Sequence, residues 1–477
     1  MLILEKVQTK DFDLGKILPA VLTIAAGMLL VMMDTTIMNV ALPHLQGAFH
    51  TDMNTVQWSI TAYTLSLALI IPLSGWLADR FSAKRVFAGA IILFTIASIL
   101  CAISTSISQL IIFRVIQGLA GGVVGPIGIA MSFRLIPMEK RGSMMSILGL
   151  PMLLAPTIGP ALSGWLISIF NWHYIFLINI PIGIISIILV VKFIPNYIAN
   201  KESKLDKLGA ILTPFVFPFI IYGIHQGTSQ GWLEPKTLLF LLVGALAFIS
   251  FIFVEVKSPN PLLEVRAFKI SEFTKGMLLM WINQIAIFGA MLFVPLYLQN
   301  VRGMSAFNSG LMMVPQAIAS FIGMTIGGRL YDKFGTKFAV IPGFIFSGIS
   351  LYLFSTVNDD TSYLLVVISV ILLGMGQGLV GMQVNNHALQ SAPLKLISRL
   401  TPLSNVMLQV VNSLSIATLT AFMTSMVHRY EIHGKHGSNP LLSVLHGYHS
   451  TFLLLATMII IGFLLSIFLK RKNTSSN

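Results

Sequence analysis

Apolar residues fill this chain in runs of about 20 or more, broken by short stretches that gather most of the charge. A run of that length, coiled as a helix, covers the ~30 Å hydrocarbon core of a bilayer. Helix is the element to expect, because backbone N–H and C=O groups in lipid must be satisfied within their own segment. Fourteen such runs can be read, near 17–41, 53–78, 84–104, 108–132, 142–169, 174–194, 208–226, 236–256, 273–299, 307–331, 337–357, 362–385, 399–427 and 451–470. The least regular is 208–226, which carries Pro214, Pro218 and His225.

Composition agrees with the pattern. The 477 residues are 55% hydrophobic and 10% charged, whereas a soluble domain averages roughly 25% charged. So few charges cannot build a water-soluble surface. The first run is longer than a signal h-region and is closed by no small-residue cleavage site, so it is expected to be a spanning helix and not a cleaved leader. The single cysteine, Cys101, excludes an intrachain disulfide and argues against a cysteine metal site.

The net charge of +13 would suggest nucleic acid in a soluble protein. Here the charges lie between apolar runs, so no nucleic-acid partner is expected and the charge is read as topology. On the fourteen-span map, 25 Lys and Arg fall on one side, 4 on the other (Lys236, Arg302, Arg429 and Lys435), and Arg114 falls inside a span. The positive-inside rule then puts both termini in the cytoplasm, which requires an even number of spans.

The chain also repeats itself. Gly75-Trp76-Leu77-Ala78-Asp79-Arg80-Phe81-Ser82-Ala83-Lys84-Arg85 follows the second run, and Gly328-Arg329-Leu330-Tyr331-Asp332-Lys333-Phe334-Gly335-Thr336-Lys337 follows the tenth, 253 residues later. Gln117-Gly118-Leu119 returns as Gln377-Gly378-Leu379, 260 residues later. Both copies have the same orientation, which points to a parallel duplication about an axis along the membrane normal. The predicted layout is a cytoplasmic N-terminus 1–16, a six-helix bundle 17–200, two inserted helices with linkers 201–272, a second six-helix bundle 273–470 with an outer loop 428–450, and a cytoplasmic tail 471–477.

Two charges stand in the wrong solvent. Asp34 lies within the first run and Arg114 within the fourth. An ionised group in hydrocarbon costs several kcal/mol, so such residues usually serve a pathway. Protonation removes the charge of a carboxylate and with it that cost, so Asp34 can take up and release a proton as its surroundings change. The competing reading is structural: an Asp bonded to Thr35, Asn39 or a neighbouring helix, and an Arg bonded to backbone carbonyls. Arg114 could reach Asp34, although Asp34 sits nearer the outer end of its helix.

Several motifs in order carry a family resemblance. They are Met33-Asp34-Thr35-Thr36-Ile37-Met38-Asn39-Val40-Ala41-Leu42-Pro43, the turn 75–85, Ile112-Phe113-Arg114-Val115-Ile116-Gln117-Gly118, Ala155-Pro156-Thr157-Ile158-Gly159-Pro160-Ala161-Leu162-Ser163-Gly164, and Trp172-His173-Tyr174-Ile175-Phe176-Leu177-Ile178-Asn179-Ile180-Pro181-Ile182-Gly183. Together they resemble the major facilitator superfamily, in particular its fourteen-helix drug:proton antiporters of the QacA/EmrB type. The resemblance implies an all-α polytopic membrane protein of major facilitator fold, with two six-helix bundles and two additional helices between them.

It further implies roles. Asp34, Arg114, Asn39 and Gln117 would serve proton coupling and substrate. Gly75, Asp79, Arg80 and Arg85 would form a cytoplasmic gate, with glycine allowing close helix approach and Asp79 accepting from a helix N-terminus or pairing with an arginine. Pro156, Gly159, Pro160 and Gly164 would mark the antiporter helix, bent by proline. Ser82 stands where the family usually has glycine, as do Ala155 and Ser163. The second half departs further: Asn405, Gln409, Ser413 and Ala417 resemble the thirteenth-helix pattern, but Leu408, Val411 and Asn412 replace its arginine and glycines. No acid falls within the runs of the second half, where Asn283, Gln316, Gln377, Gln383, Asn386 and His387 supply polar groups.

Five histidines in 428–450 match no fixed ligand spacing, so no metal is expected. The function expected is proton-coupled export of lipophilic, often cationic drugs by a monomer in the plasma membrane, driven by the proton gradient without a cofactor. The competitors are a dedicated exporter of one metabolite, lipid or peptide, a membrane enzyme, and a transport-dead sensor. An enzyme would need a nucleophile, acid–base pair or metal cluster at a membrane surface, and none is found in the sequence.

Overall fold

The structure, a computed structural model, describes residues 14–197, 204–433 and 440–470. Every long element among them is an α-helix. The first nine are α1 (Leu14–Phe49), α2 (Met53–Ile70), α3 (Ser74–Phe81), α4 (Ala83–Ala102), α5 (Ile107–Leu135), α6 (Arg141–Leu148), α7 (Leu150–Ile169), α8 (Tyr174–Leu177) and α9 (Asn179–Phe193). Then come α10 (Lys207–Gln230), α11 (Pro235–Lys257), α12 (Ser271–Asn300), α13 (Ala306–Leu311), α14 (Val314–Phe334), α15 (Thr336–Phe354), α16 (Tyr363–Gln390), α17 (Ile397–His433) and α18 (Pro440–Ile467).

Thirteen helices among the described residues are long and apolar enough to cross a membrane. They match thirteen of the fourteen predicted runs, including 208–226, where Pro214 and Pro218 lie inside α10. The remaining run, 142–169, is not one helix but two, α6 and α7, parted at Gly149 with Pro151 in the first turn of α7. Proline lacks the N–H that would carry the ladder through. The 20 residues of α7 still span about 30 Å.

Helix ends follow local chemistry more than hydropathy. α1 runs to Phe49, well past the predicted 41, and stops where His50 turns to φ +48°. Asp52 then caps α2, accepting from Thr55 N at 2.9 Å and Thr55 Oγ1 at 2.6 Å. Such a cap satisfies backbone donors that a helix start leaves open. The predicted outer loop 428–450 is mostly helix: α17 continues to His433 and α18 begins at Pro440. Residues 434–439, with His436 and Lys435, lie outside the described residues, as do 1–13, 198–203 and 471–477.

The chain divides into two compact units. The first takes the described residues up to Tyr222, with Leu242–Arg266 and Ala392–Val406. Its apolar core includes Met33, Ile37, Leu45, Val56, Leu110 and Phe176. The second takes Gly223–Leu241, Ala267–Ser391 and the described residues from Met407 on. Its core includes Phe293, Tyr297, Phe344, Phe354, Tyr448 and Phe452.

Candidate functional site

The two stray charges of the sequence meet inside the first unit. Asp34 on α1 is 1% exposed and Arg114 on α5 is fully buried. Arg114 Nη1 donates to Asp34 Oδ2 at 2.5 Å. The position of Asp34 toward one end of its apolar run does not keep the two apart. Gln117, one helical turn beyond Arg114 and so on the same face of α5, bridges them. Its Oε1 accepts from Arg114 Nη1 at 2.8 Å, and its Nε2 donates to Asp34 Oδ1 at 3.0 Å.

Residues the sequence reading did not single out complete the network. Asn179, the first residue of α9, donates to Asp34 Oδ1 at 2.9 Å. Ser98 Oγ on α4 accepts from Gln117 Nε2 at 2.7 Å and from Asn179 Nδ2 at 3.3 Å. Arg114 Nε donates to the Ser59 carbonyl at 3.2 Å, and its guanidinium lies 4.0 Å from the centre of the Tyr63 ring. Five helices, α1, α2, α4, α5 and α9, therefore converge on one ion pair. Asn39 lies further along α1, but its side chain is outside the described residues.

The energetics follow from burial. Two charges taken out of water are costly, and their attraction repays the cost only when the geometry is good and the remaining donors and acceptors are filled. Both Asp34 oxygens are filled, and Arg114 has a carboxylate, an amide oxygen, a carbonyl and an aromatic face. The arrangement is neutral as a pair. A proton on Asp34 would leave Arg114 as an uncompensated cation with Gln117 Oε1, Ser59 O and Tyr63 as its other neighbours.

The antiporter-helix residues bear on this site through packing. A Cβ on Gly159 would lie 2.1 Å from Thr36 Oγ1. Thr36, two residues beyond Asp34, donates to the Ala155 carbonyl at 2.9 Å, tying α7 to α1. Gly164 has open space around it, so no contact requires a glycine there. The side chains of Pro156 and Pro160 lie outside the described residues.

The gate residues run from the start of α3 (Gly75) to its last turn (Asp79, Arg80) and into the first turn of α4 (Arg85). A Cβ on Gly75 would lie 2.1 Å from the Ser398 carbonyl oxygen, so backbone meets backbone there and only glycine fits. Asp79 accepts from Ser398 Oγ at 3.1 Å, in the first turn of α17, and from Arg134 Nη2 at 3.4 Å. The arginine that pairs with Asp79 is therefore Arg134; Arg80 and Arg85 form no ion pair among the described residues. Ser82 holds the sharp turn that glycine usually makes, with φ +79°.

Among the described residues no group of three or more His, Cys, Asp or Glu could hold a metal. His446 packs on the Tyr430 ring at 4.7 Å and His449 bonds the Val357 carbonyl, both structural contacts.

Comparison with known proteins fits this geometry to a family. The sequence model of the Major Facilitator Superfamily matches residues 24–416. The chain belongs to that superfamily. It is a multi-pass membrane transporter, which sets the membrane-enzyme alternative aside. A Bacillus subtilis protein named uncharacterized MFS-type transporter YcnB is 31% identical over 98% of this chain and 97% of its own length. The multidrug resistance protein B homolog of Mycobacterium tuberculosis is 30% identical over 84% of this chain and 75% of its own length. The lincomycin resistance protein LmrB of Bacillus subtilis is 29% identical over 96% of each chain. Among solved structures, the proton:xylose symporter XylE aligns with a TM-score of 0.63 at 14% identity, over 96% of this chain and 97% of its own. The human organic anion transporter MFSD10 gives 0.63 at 13%, over 94% and 99%. These two likenesses speak to the fold alone.

Proposed function

We propose that this transporter is a proton-coupled exporter of lipophilic, often cationic drugs, in the plasma membrane with both termini in the cytoplasm, working as a monomer by alternating access. The observation that carries the proposal is the buried Asp34–Arg114 pair, bridged by Gln117 and held by Asn179. Relatives named for multidrug and lincomycin resistance support the substrate class. The proton gradient is the driving force, at about 1.4 kcal/mol per proton for each pH unit, with ~2.3 kcal/mol per charge for each 100 mV.

The geometry sharpens how coupling would work. Asp34 already accepts three hydrogen bonds and an arginine charge, so a cationic drug cannot reach its oxygens while the pair is closed. Drug and proton would then compete through conformation. Protonation of Asp34 releases Arg114 from its carboxylate, and drug binding favours the form in which the pair closes and the proton has left. Asp34 is the one acid in the Arg114 network, which suits neutral or singly charged substrates.

The test is transport by purified protein in energised vesicles offered several chemically unrelated dyes. Uptake of several dyes, lost when the pH gradient is collapsed, supports the proposal. Transport of one compound only would favour the dedicated exporter, a reading to which the relative named for lincomycin lends weight. Movement of neither dye nor proton would favour a sensor.

A further inference from the structure

Asp34 is not the only carboxyl withdrawn from water. Glu255, in the last turn of α11, is fully buried. Its Oε2 accepts from the Leu263 N–H at 3.1 Å, and its Oε1 has no hydrogen-bond partner. Asp206, just before α10, has Oδ1 occupied by the Gly209 N–H at 2.9 Å, while Oδ2 is shut off from solvent and also has no partner.

The two carboxyl groups border one point. A methyl group on Gly209 would sit 2.6 Å from Glu255 Oε1 and 3.2 Å from the Asp206 carboxyl carbon. Among the described residues neither carboxyl forms an ion pair, although Glu255 lies within electrostatic reach of Arg266 and of the buried Glu264. Arg266 is committed to Glu264 at 2.6 Å, and the Lys257 ammonium lies over the Phe253 ring at 3.9 Å. Lys207 is exposed.

Ionising both the buried Glu255 and the half-buried Asp206 beside it is costly, and one proton removes most of that cost. The protonated carboxyl gains an O–H donor, and the ionised one offers an acceptor. A hard metal cation is the poorer occupant, since it seeks six or more oxygens. We propose that Glu255 and Asp206 form a proton-holding carboxyl pair at the end of the two inserted helices, with the proton on Glu255. It is separate from the Asp34 network and stands whether or not Asp34 couples transport.

The experiment uses the full chain in native membranes treated at pH 7 with dicyclohexylcarbodiimide, which modifies protonated carboxyls in apolar surroundings, and reads the sites by peptide mass spectrometry. Glu255 should be labelled, the label should be absent in Glu255→Gln, and in Asp206→Asn labelling should fall away at lower pH than in the wild type. Infrared spectroscopy of purified protein decides the matter if the reagent cannot reach the site. A protonated-carboxyl band that Glu255→Gln removes supports the pair. Identical spectra for the wild type and Glu255→Gln would overturn it. So would stabilisation by added sodium or calcium that Glu255→Gln abolishes, which would make this a cation site.

Discussion

The two copies of the sequence repeat place their matching residues in different surroundings. In the first, Arg114 fills the space between α5 and its neighbours, with its guanidinium over the Tyr63 ring. The residue 260 positions after Arg114 is Gly374, and the residue 253 after Tyr63 is Gln316. There the helices close directly: a Cβ on Gly374 would lie 2.2 Å from the Gln316 carbonyl oxygen, and one on Gly378 would lie 2.1 Å from that of Ser320. Gln117 bridges an ion pair, while its counterpart Gln377 accepts from Gln316 Nε2 at 3.3 Å and Ser320 Oγ at 3.4 Å. Across the window that would match Asp34, 287–294, there is no acid. One copy holds charge, and the other has exchanged charge for close backbone packing.

The largest effect should come from splitting the ion pair. Arg114→Met leaves Asp34 buried without its cation, and removing one partner of such a pair typically costs about 3–5 kcal/mol. Adding Asp34→Asn should restore most of that stability without restoring transport, which thermal unfolding in detergent alongside vesicle assays would reveal. In the second repeat, Gly374→Ala should instead act by overpacking, at about 1–3 kcal/mol. Protein that still reaches the membrane should keep its proton-to-substrate ratio; a changed ratio would mean that both repeats carry coupling.

The turns offer a smaller version of the contrast. Ser82 and Gly335 occupy matching places at φ +79° and +92°. A non-glycine residue held there stores strain of order 1 kcal/mol. Ser82→Gly should raise the unfolding temperature slightly, and Gly335→Ser should lower it. Smallest of all, Arg134→Gln removes a partly exposed pair with Asp79 worth under about 1 kcal/mol, so it should alter transport rate more than stability.

Much of this was legible in the residues because lipid imposes simple rules. Long apolar runs gave the spans, and a charge inside a run marked Asp34 and Arg114. The other members of the network left fainter traces. Ser59 contributes only a backbone carbonyl, which any residue could supply. Ser98 has the same composition signature as every other serine that bonds back along its helix. Asn179 stands at a helix start, where a polar residue reads as a boundary. The burial of Glu255 was not legible, because it depends on the segment after its helix, whose Leu263 N–H bonds Oε2.

The most direct test of the central claim is proton release on substrate addition, measured with purified protein in weakly buffered detergent. Wild-type protein should release protons when drug is added. Asp34→Asn should bind drug and release none, because the group that carries the proton is gone. Undiminished release from a folded, drug-binding Asp34→Asn protein would contradict the account and move coupling to another group.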